Sequence, residues 1–275
     1  VGVIRTIVSG YGYWGEVLTR NLLSDPAYFV AGVHDPSASR REAARSANLY
    51  TFRTLQDALD FVPPDLVVIA SPIGTQYEAA LMALSRHANV MMAKPGVMRV
   101  PDLESIDALA RRKRRVAVID YTMRHAAPFQ RMLDASDKRG NIVSVEAERF
   151  SVGTRSTASI LSDVMVHDIA LLHALSPQAW RVASVDAGDH HLFVHLETDD
   201  AAAILKARTD ATEPRRWLRV TGTCDSGEWN QLVTTSDQTP LQLSLKDMSR
   251  RITSRDHDMN LEHRVTATLQ EISAA

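Results

Sequence analysis

The sequence predicts an α/β plus α+β protein: an N-terminal doubly wound parallel sheet over residues 1–121, then a domain on an open, largely antiparallel sheet over 122–275. Three observations carry this expectation. Short β-branched runs alternate with longer amphipathic stretches through the first 120 or so residues, the pattern of βαβ units. A glycine-rich turn follows the first such run. Beyond Tyr121 the rhythm changes to strand-like runs with few helices between them, the pattern of an antiparallel sheet with one buried face.

Taken in order, strands are predicted at 4–8, 29–33, 66–69, 90–92 and 116–119, with helices at 14–23, 37–47, 55–61, 75–85 and 101–112. Ser24-Asp25-Pro26, Asp35-Pro36-Ser37 and Pro63-Pro64-Asp65 supply the turn chemistry that stops one element before the next begins. In the second half strands are predicted at 142–150, 182–186, 191–197, 201–207, 217–221 and 241–245, around a helix at 162–175 and a closing helix at 258–272.

Composition narrows the function classes. The chain has 275 residues, and its 31 basic and 33 acidic side chains nearly cancel. It therefore has no global field of the kind that draws a protein onto nucleic acid or anionic lipid. A small neutral or modestly charged partner is expected, with no nucleic acid and no membrane. Cys224 is the single cysteine, so no intramolecular disulfide can form, and no apolar run reaches the ~18 residues of a membrane span. The opening residues enter a strand directly and carry no leader pattern, so a cytoplasmic setting is the expectation.

Ser9-Gly10-Tyr11-Gly12-Tyr13-Trp14-Gly15 places a G-x-G-x-x-G between a strand and a helix. Gly10 permits the tight turn, Gly12 admits a pyrophosphate to the backbone, and Gly15 lets the helix approach the sheet. The N–H groups and dipole at the helix N-terminus then face the anion, and Tyr11, Tyr13 and Trp14 of the same turn are expected among the cofactor-binding residues. Asp35, at the end of the second strand, is placed to accept from an adenosine ribose and to repel a 2′-phosphate. That favours NAD, with NADP left open by Ser37, Arg40 and Arg41 nearby. A helix cap is the alternative role for Asp35. This is the pattern of a Rossmann domain.

Two further segments carry chemistry. Lys94, in Val90-Met91-Met92-Ala93-Lys94-Pro95, falls at the carboxyl end of a predicted strand, where open parallel sheets bind ligands. Its ammonium can stabilise negative charge developing on a substrate oxygen. Asp163 and His167 are four apart on one helix face, within reach of each other or of a shared ligand. An imidazole beside a carboxylate suits proton transfer near neutral pH. The rest of that helix is apolar, so these two polar groups demand a partner.

Val68-Ile69-Ala70-Ser71-Pro72, the Lys94-Pro95 run and Asp163-Val164-Met165-Val166-His167-Asp168-Ile169 together resemble the glucose-fructose oxidoreductase, inositol dehydrogenase and MocA-like family. The resemblance runs through nearly the whole chain in the right order. It implies an NAD(P)-dependent oxidoreductase that moves a hydride between nicotinamide and a hydroxyl or ketone carbon of a sugar, cyclitol or sugar nucleotide. It also implies cofactor contacts at Ser71, Pro72 and Lys94, Lys94 near the reacting oxygen, Asp163 as a substrate or orienting contact, and His167 as acid–base. A homodimer or homotetramer built on the open sheet is implied as well. The chain departs from the pattern at Ala93, where the family has Glu, at Ile73 for Asn, and at Gln76 for His. The first two are expected to loosen nicotinamide positioning. The alternatives are a dinucleotide-binding regulator without turnover, and a reductase of a non-sugar carbonyl or imine.

Tyr121, Arg124 and Arg155 are further candidates for the substrate pocket, Arg155 through a bidentate contact to phosphate or carboxylate. The run from Arg111 to Arg115 reads as a cationic helix end, and His190, His191 and His195 lack the companion ligands a metal site needs. No metal is expected.

Overall fold

A computed structural model describes residues 2–152, 160–176, 178–230 and 238–275. The chain divides into two compact units, Val1–Asp120 with Leu241–Glu262, and Tyr121–Pro240 with His263–Ala275.

The first unit is built on six parallel strands: β1 Ile4–Ser9, β2 Tyr28–His34, β3 Thr51–Phe52, β4 Leu66–Ile69, β5 Asn89–Ala93 and β6 Ala117–Asp120. Their order is β3-β2-β1-β4-β5-β6, so the chain reverses direction across the sheet between β1 and β4. The central strands are apolar on both faces, as helices on both sides require. Val8 is in register with Val33 and Val68, Met91 with Val68, and Val118 with Met91.

Helices α1 Tyr13–Ser24, α2 Ala38–Ser46, α3 Leu55–Phe61, α4 Ile73–Ser85 and α5 Val100–Lys113 connect the strands. Their ends follow local chemistry. Thr54 caps α3 by accepting from the Asp57 N–H at 3.1 Å, a contact worth about 1 kcal/mol. The α5 helix ends with Arg111, Arg112 and Lys113 in its last turn and Arg114 in the left-handed region, so the cationic run faces the negative end of the dipole.

The second unit contains β7 Ile142–Phe150, β8 Arg181–Gly188, β9 His191–Glu197, β10 Ala202–Arg208, β11 Arg215–Gly222 and β12 Ser226–Asn230. These form one sheet in the order β12-β11-β7-β10-β9-β8. Every pairing is antiparallel except β7 with β10. Alternation sorts the strands into two faces. Leu218, Ala147, Leu205 and Val194 make one buried row across β11, β7, β10 and β9. On the opposite face Trp217, Glu148, Lys206 and Phe193 align in the same way.

Before the sheet come a 3-10 turn, Thr122–His125, and helices α6 Ala127–Asp134 and α7 Ser136–Arg139. A π turn, Ile160–Met165, leads directly into α8 Val166–Leu175. The chain closes with α9 Pro240–Ser254 and α10 Asn260–Ala274.

The strand expected at 241–245 is a correction: these residues open α9. Leu241-Gln242-Leu243-Ser244-Leu245 alternates like a strand, but Leu241, Leu245 and Met248 form the buried helical stripe. They pack into the core of the first unit with Leu18, Leu22 and Tyr28. The Tyr28 hydroxyl donates to the Leu245 carbonyl, and Ser244 Oγ donates to Asp120 Oδ1 at 2.6 Å. The short β3, β12 and α6 were not expected from sequence.

His173 on α8 is 2% exposed and hydrogen-bonds through Nε2 to Thr268 Oγ1 on α10 at 2.8 Å. Burial, reinforced by the nearby Arg264 charge, pushes its pKa down from 6.5 to about 4. The folded protein therefore holds this ring neutral while the unfolded chain takes up a proton below pH 6.5. Stability falls as pH drops from 6.5 towards 4, by up to about 3 kcal/mol from this group. In chemical denaturation His173→Gln should flatten that part of the stability–pH curve; a native slope in the variant would exclude His173 as its source.

Candidate functional site

The glycine-rich turn is shaped by backbone contacts. Gly10 has φ +98°, and a side chain there would meet the Ala70 and Ser71 backbone at 2.7–2.8 Å. Its N–H donates to the His34 carbonyl at 2.7 Å, while Ala70 donates to the Ser9 carbonyl at 2.8 Å. The ends of β1, β2 and β4 are thus laced together beneath the turn. A Cβ at Gly15 would run into the Gly10 carbonyl, so α1 starts hard against the turn only because that residue is glycine. Gly12 differs: nothing lies within 4 Å of where its Cβ would stand.

Asp35 is 8% exposed, and both carboxylate oxygens accept backbone N–H groups at 2.8 Å, Oδ2 from Tyr11 and Oδ1 from Ser37. It ties the glycine-rich turn to the start of α2, whose N-cap is Ser37 rather than Asp35. Arg41 Nη1 donates to the Asp35 and Pro36 carbonyls, each at 2.8 Å.

Gly10, Gly12, Asp35, Ser71 and Pro72 line a cleft of about 620 Å³ at the carboxyl ends of β1, β2 and β4. Arg40, Thr75, Glu78, Ala79 and Met82 are also among its walls, as is His34, which sequence reasoning passed over. His34 Nδ1 lies 2.9 Å from Ser9 Oγ, and burial is the main cause that lowers its pKa. The signal for it was its place one residue before Asp35.

The other turn residues are arranged around the cleft rather than in its lining. Tyr11 is buried, Trp14 packs against the core, and Tyr13 is 80% exposed. Ser71 and Pro72 precede α4, where Thr75 Oγ1 donates to Ser71 Oγ at 2.8 Å and Gln76 Nε2 to the Ser71 carbonyl at 3.0 Å. Lys94 follows the last residue of β5, is partly buried, and is joined to Pro95 by a cis bond. Ala93 and Gln76, two of the departures noted above, are both buried, and Ile73 is 39% exposed.

In the second unit Asp163 lies in the π turn and His167 is the second residue of α8. The helix shared by the two in the sequence reading is therefore a π-to-α junction. Asp163 is exposed and His167 half-buried. Tyr121 is 1% exposed, and Arg124 lies in the 3-10 turn that packs against α8. Arg155 lies outside the described residues.

Among the described residues no group of three or more His, Cys, Asp or Glu could hold a metal ion, and no helix is long and apolar enough to cross a membrane.

The cleft fits a dinucleotide. The open side of Gly12 leaves room for a bulky anion, the N–H groups of the first turn of α1 have no partner within the helix, and Asp35 keeps acceptor capacity beyond its two backbone contacts.

Residues 4–121 match the family model described as "Oxidoreductase family, NAD-binding Rossmann fold". A stretch of 102 residues, 37% of this chain, is 29% identical to an uncharacterized oxidoreductase, sll0816, of Synechocystis sp., and spans only 28% of that protein's length. Among solved structures the chain resembles the UDP-N-acetylglucosamine 3-dehydrogenase GnnA of Acidithiobacillus ferrooxidans, with TM-score 0.86 and 20% identity over 100% of this chain and 98% of the other. It also resembles myo-inositol 2-dehydrogenase of Lactobacillus plantarum, with TM-score 0.85 and 14% identity over 99% and 98% of the two chains. GenD2 from gentamicin A biosynthesis, solved in complex with NAD, gives TM-score 0.86 and 18% identity over 100% and 94%.

The two tight glycines and the open one separate folding from binding. Gly12→Ala should leave the melting temperature unchanged and weaken NADH binding at least tenfold, whereas Gly15→Ala should lower both. Native NADH affinity in Gly12→Ala would place the pyrophosphate elsewhere. Cleft geometry and the match over residues 4–121 agree: this segment is an NAD-binding Rossmann fold that matches the model of the Gfo/Idh/MocA oxidoreductase family, and the whole chain shares the fold of the solved dehydrogenases.

Proposed function

We propose that this protein is an NAD-dependent dehydrogenase or reductase acting on a CH–OH or ketone carbon of a sugar, cyclitol or sugar nucleotide. The observation that carries the reading is the cleft at the carboxyl edge of the parallel sheet, with Gly12 open towards it and Asp35 fixed in its wall. The likeness in fold to a UDP-N-acetylglucosamine 3-dehydrogenase and a myo-inositol 2-dehydrogenase supports the substrate class.

In this reading Gly10, Gly12 and the α1 N-terminus hold the pyrophosphate, Asp35 takes the adenosine ribose, and Ser71 and Pro72 border the cofactor. Tyr11, Tyr13, Trp14 and Gly15 shape the turn. Bound NAD supplies the hydride acceptor. The chain's own residues handle the proton: as C–H and O–H bonds of the carbinol break, His167 takes the hydroxyl proton and returns it to solvent. Lys94 hydrogen-bonds the same oxygen and stabilises the charge that develops on it. Asp163 favours the imidazolium form of His167 or binds a substrate hydroxyl. Tyr121, Arg124 and Arg155 are proposed as substrate contacts.

A homo-oligomer formed through the open face of the second sheet belongs to the same proposal. That face presents Trp217, Phe193 and Ile204, the last 42% exposed, among the ion pairs Arg215–Glu148, Lys206–Glu148 and Arg219–Glu228.

The test is a titration with NADH and with NADPH, read by energy transfer from tryptophan, followed by a panel of sugars, cyclitols and sugar nucleotides monitored by nicotinamide absorbance. Tighter NADH binding and turnover of one panel member are expected. Binding without turnover across the panel supports the regulator reading, and failure to bind either dinucleotide defeats the proposal. His167→Ala should lower kcat at least about 100-fold and leave the NADH Kd unchanged; full turnover in that variant would remove His167 from the proton chemistry.

A further inference from the structure

One polar residue of the Asp163-x-x-x-His167-Asp168-Ile169 segment has no part in the chemistry just described. Asp168 is 2% exposed and accepts two hydrogen bonds from Arg149, Nε to Oδ2 at 2.9 Å and Nη2 to Oδ1 at 2.7 Å. Arg149 is itself 6% exposed. It sits on β7, an interior strand flanked by β11 and β10, in register with Arg216 and Ala207.

A two-point contact between planar groups fixes orientation as well as distance. The other buried residues from Val164 to Ala170 are all apolar, and the next buried polar group of α8, His173, is bonded to α10 and not to the sheet. Packing of the apolar residues holds the helix against the sheet but discriminates weakly among rotations about its axis. The fork does discriminate, and it acts one residue after His167 and three after the π turn ends at Met165.

That location matters because a π turn is an α-helix with one residue inserted. If the insertion slides or anneals out, everything before the junction turns by roughly 100° relative to everything after it. Asp163 lies before the junction and His167 after it.

We propose that the buried Arg149–Asp168 pair is a positioning device that locks the π-to-α junction and so sets the phase of Asp163 against His167. The importance of that phase for turnover rests on the acid–base role proposed for His167. Neither Arg149 nor Asp168 touches substrate in this scheme.

Three variants test it: Asp168→Asn, Arg149→Lys, which keeps the charge and loses the fork, and the apolar double replacement Arg149→Met with Asp168→Leu. Two readouts are taken, kcat/KM on the panel substrate and the pH titration of the His167 imidazole by NMR, identified by its loss in His167→Ala. All variants should keep the native NADH Kd, lose about 100-fold in kcat/KM, and show a His167 midpoint displaced by about one unit. The double variant decides if the single ones fail to fold. A folded double variant with native kcat/KM and an unmoved His167 midpoint would reduce the pair to packing and overturn the inference. Native turnover in His167→Ala would defeat the acid–base reading alone, since a displaced midpoint in the pair variants would still show that Arg149 and Asp168 orient the ring.

Discussion

The first unit depends on one close approach of backbone to backbone, that of Gly15 on the Gly10 carbonyl. A helix N-terminus offers unpaired N–H groups and a favourable dipole only to whatever lies directly ahead of it. Any side chain at Gly15 would push α1 off the turn, and any at Gly10 would strike the end of β4. With both glycines in place, the turn closes onto β2 through the His34 carbonyl, and Ala70 closes β4 onto Ser9. The reversal of strand order between β1 and β4 then leaves a crevice at the same edge of the sheet. The cleft is a consequence of strand order and two absent side chains.

The second unit solves a different problem. Its sheet buries one face under a row of Leu, Ala and Val side chains, yet a charged pair lies on the same face. Removing one partner of such a pair leaves a buried charge and costs about 3–5 kcal/mol, while apolar replacement of both is often neutral or stabilising. Net stability is therefore a poor reason for the pair to be there. Orientation is a better one, because apolar side chains of β7 and α8 could meet at several helix rotations and the Arg149 fork meets Asp168 at one.

What was legible in the sequence follows from this contrast. The parallel sheet is written in signals a few residues long: β-branched runs, the three glycines, and Asp35 closing the second strand. Period-two alternation located Ile142–Phe150 and His191–Glu197 to the residue, but not the short Ser226–Asn230. Leu241–Leu245 misled because LxLxL satisfies both periods, and the choice is made by Leu18, Leu22 and Tyr28, more than two hundred residues away. Thr51–Phe52 is too short to carry a period. The spacing of Asp163 and His167 was visible, but the π turn between them was not, since no residue type marks it. Asp168 was read as part of a motif, and its partner could not be named, because Arg149 reaches it through a sheet whose register exists only once folded.

The treatment of Asp35 bears on cofactor choice. A carboxylate at the end of β2 discriminates against a 2′-phosphate only if it cannot swing aside, and an isolated surface aspartate could. Here the Tyr11 and Ser37 N–H groups each hold one oxygen. Turning the carboxylate away would strand the buried Tyr11 N–H, at a cost of roughly 1–3 kcal/mol, and would also release the half-buried Ser37 N–H. Arg41, one of two arginines on the first turns of α2, is directed at the Asp35 and Pro36 carbonyls instead. Accommodating a 2′-phosphate would therefore require Arg40 to outweigh a fixed negative charge from the cleft wall. In the proposed reading, the same contacts that tie the glycine-rich turn to α2 also favour an unphosphorylated ribose.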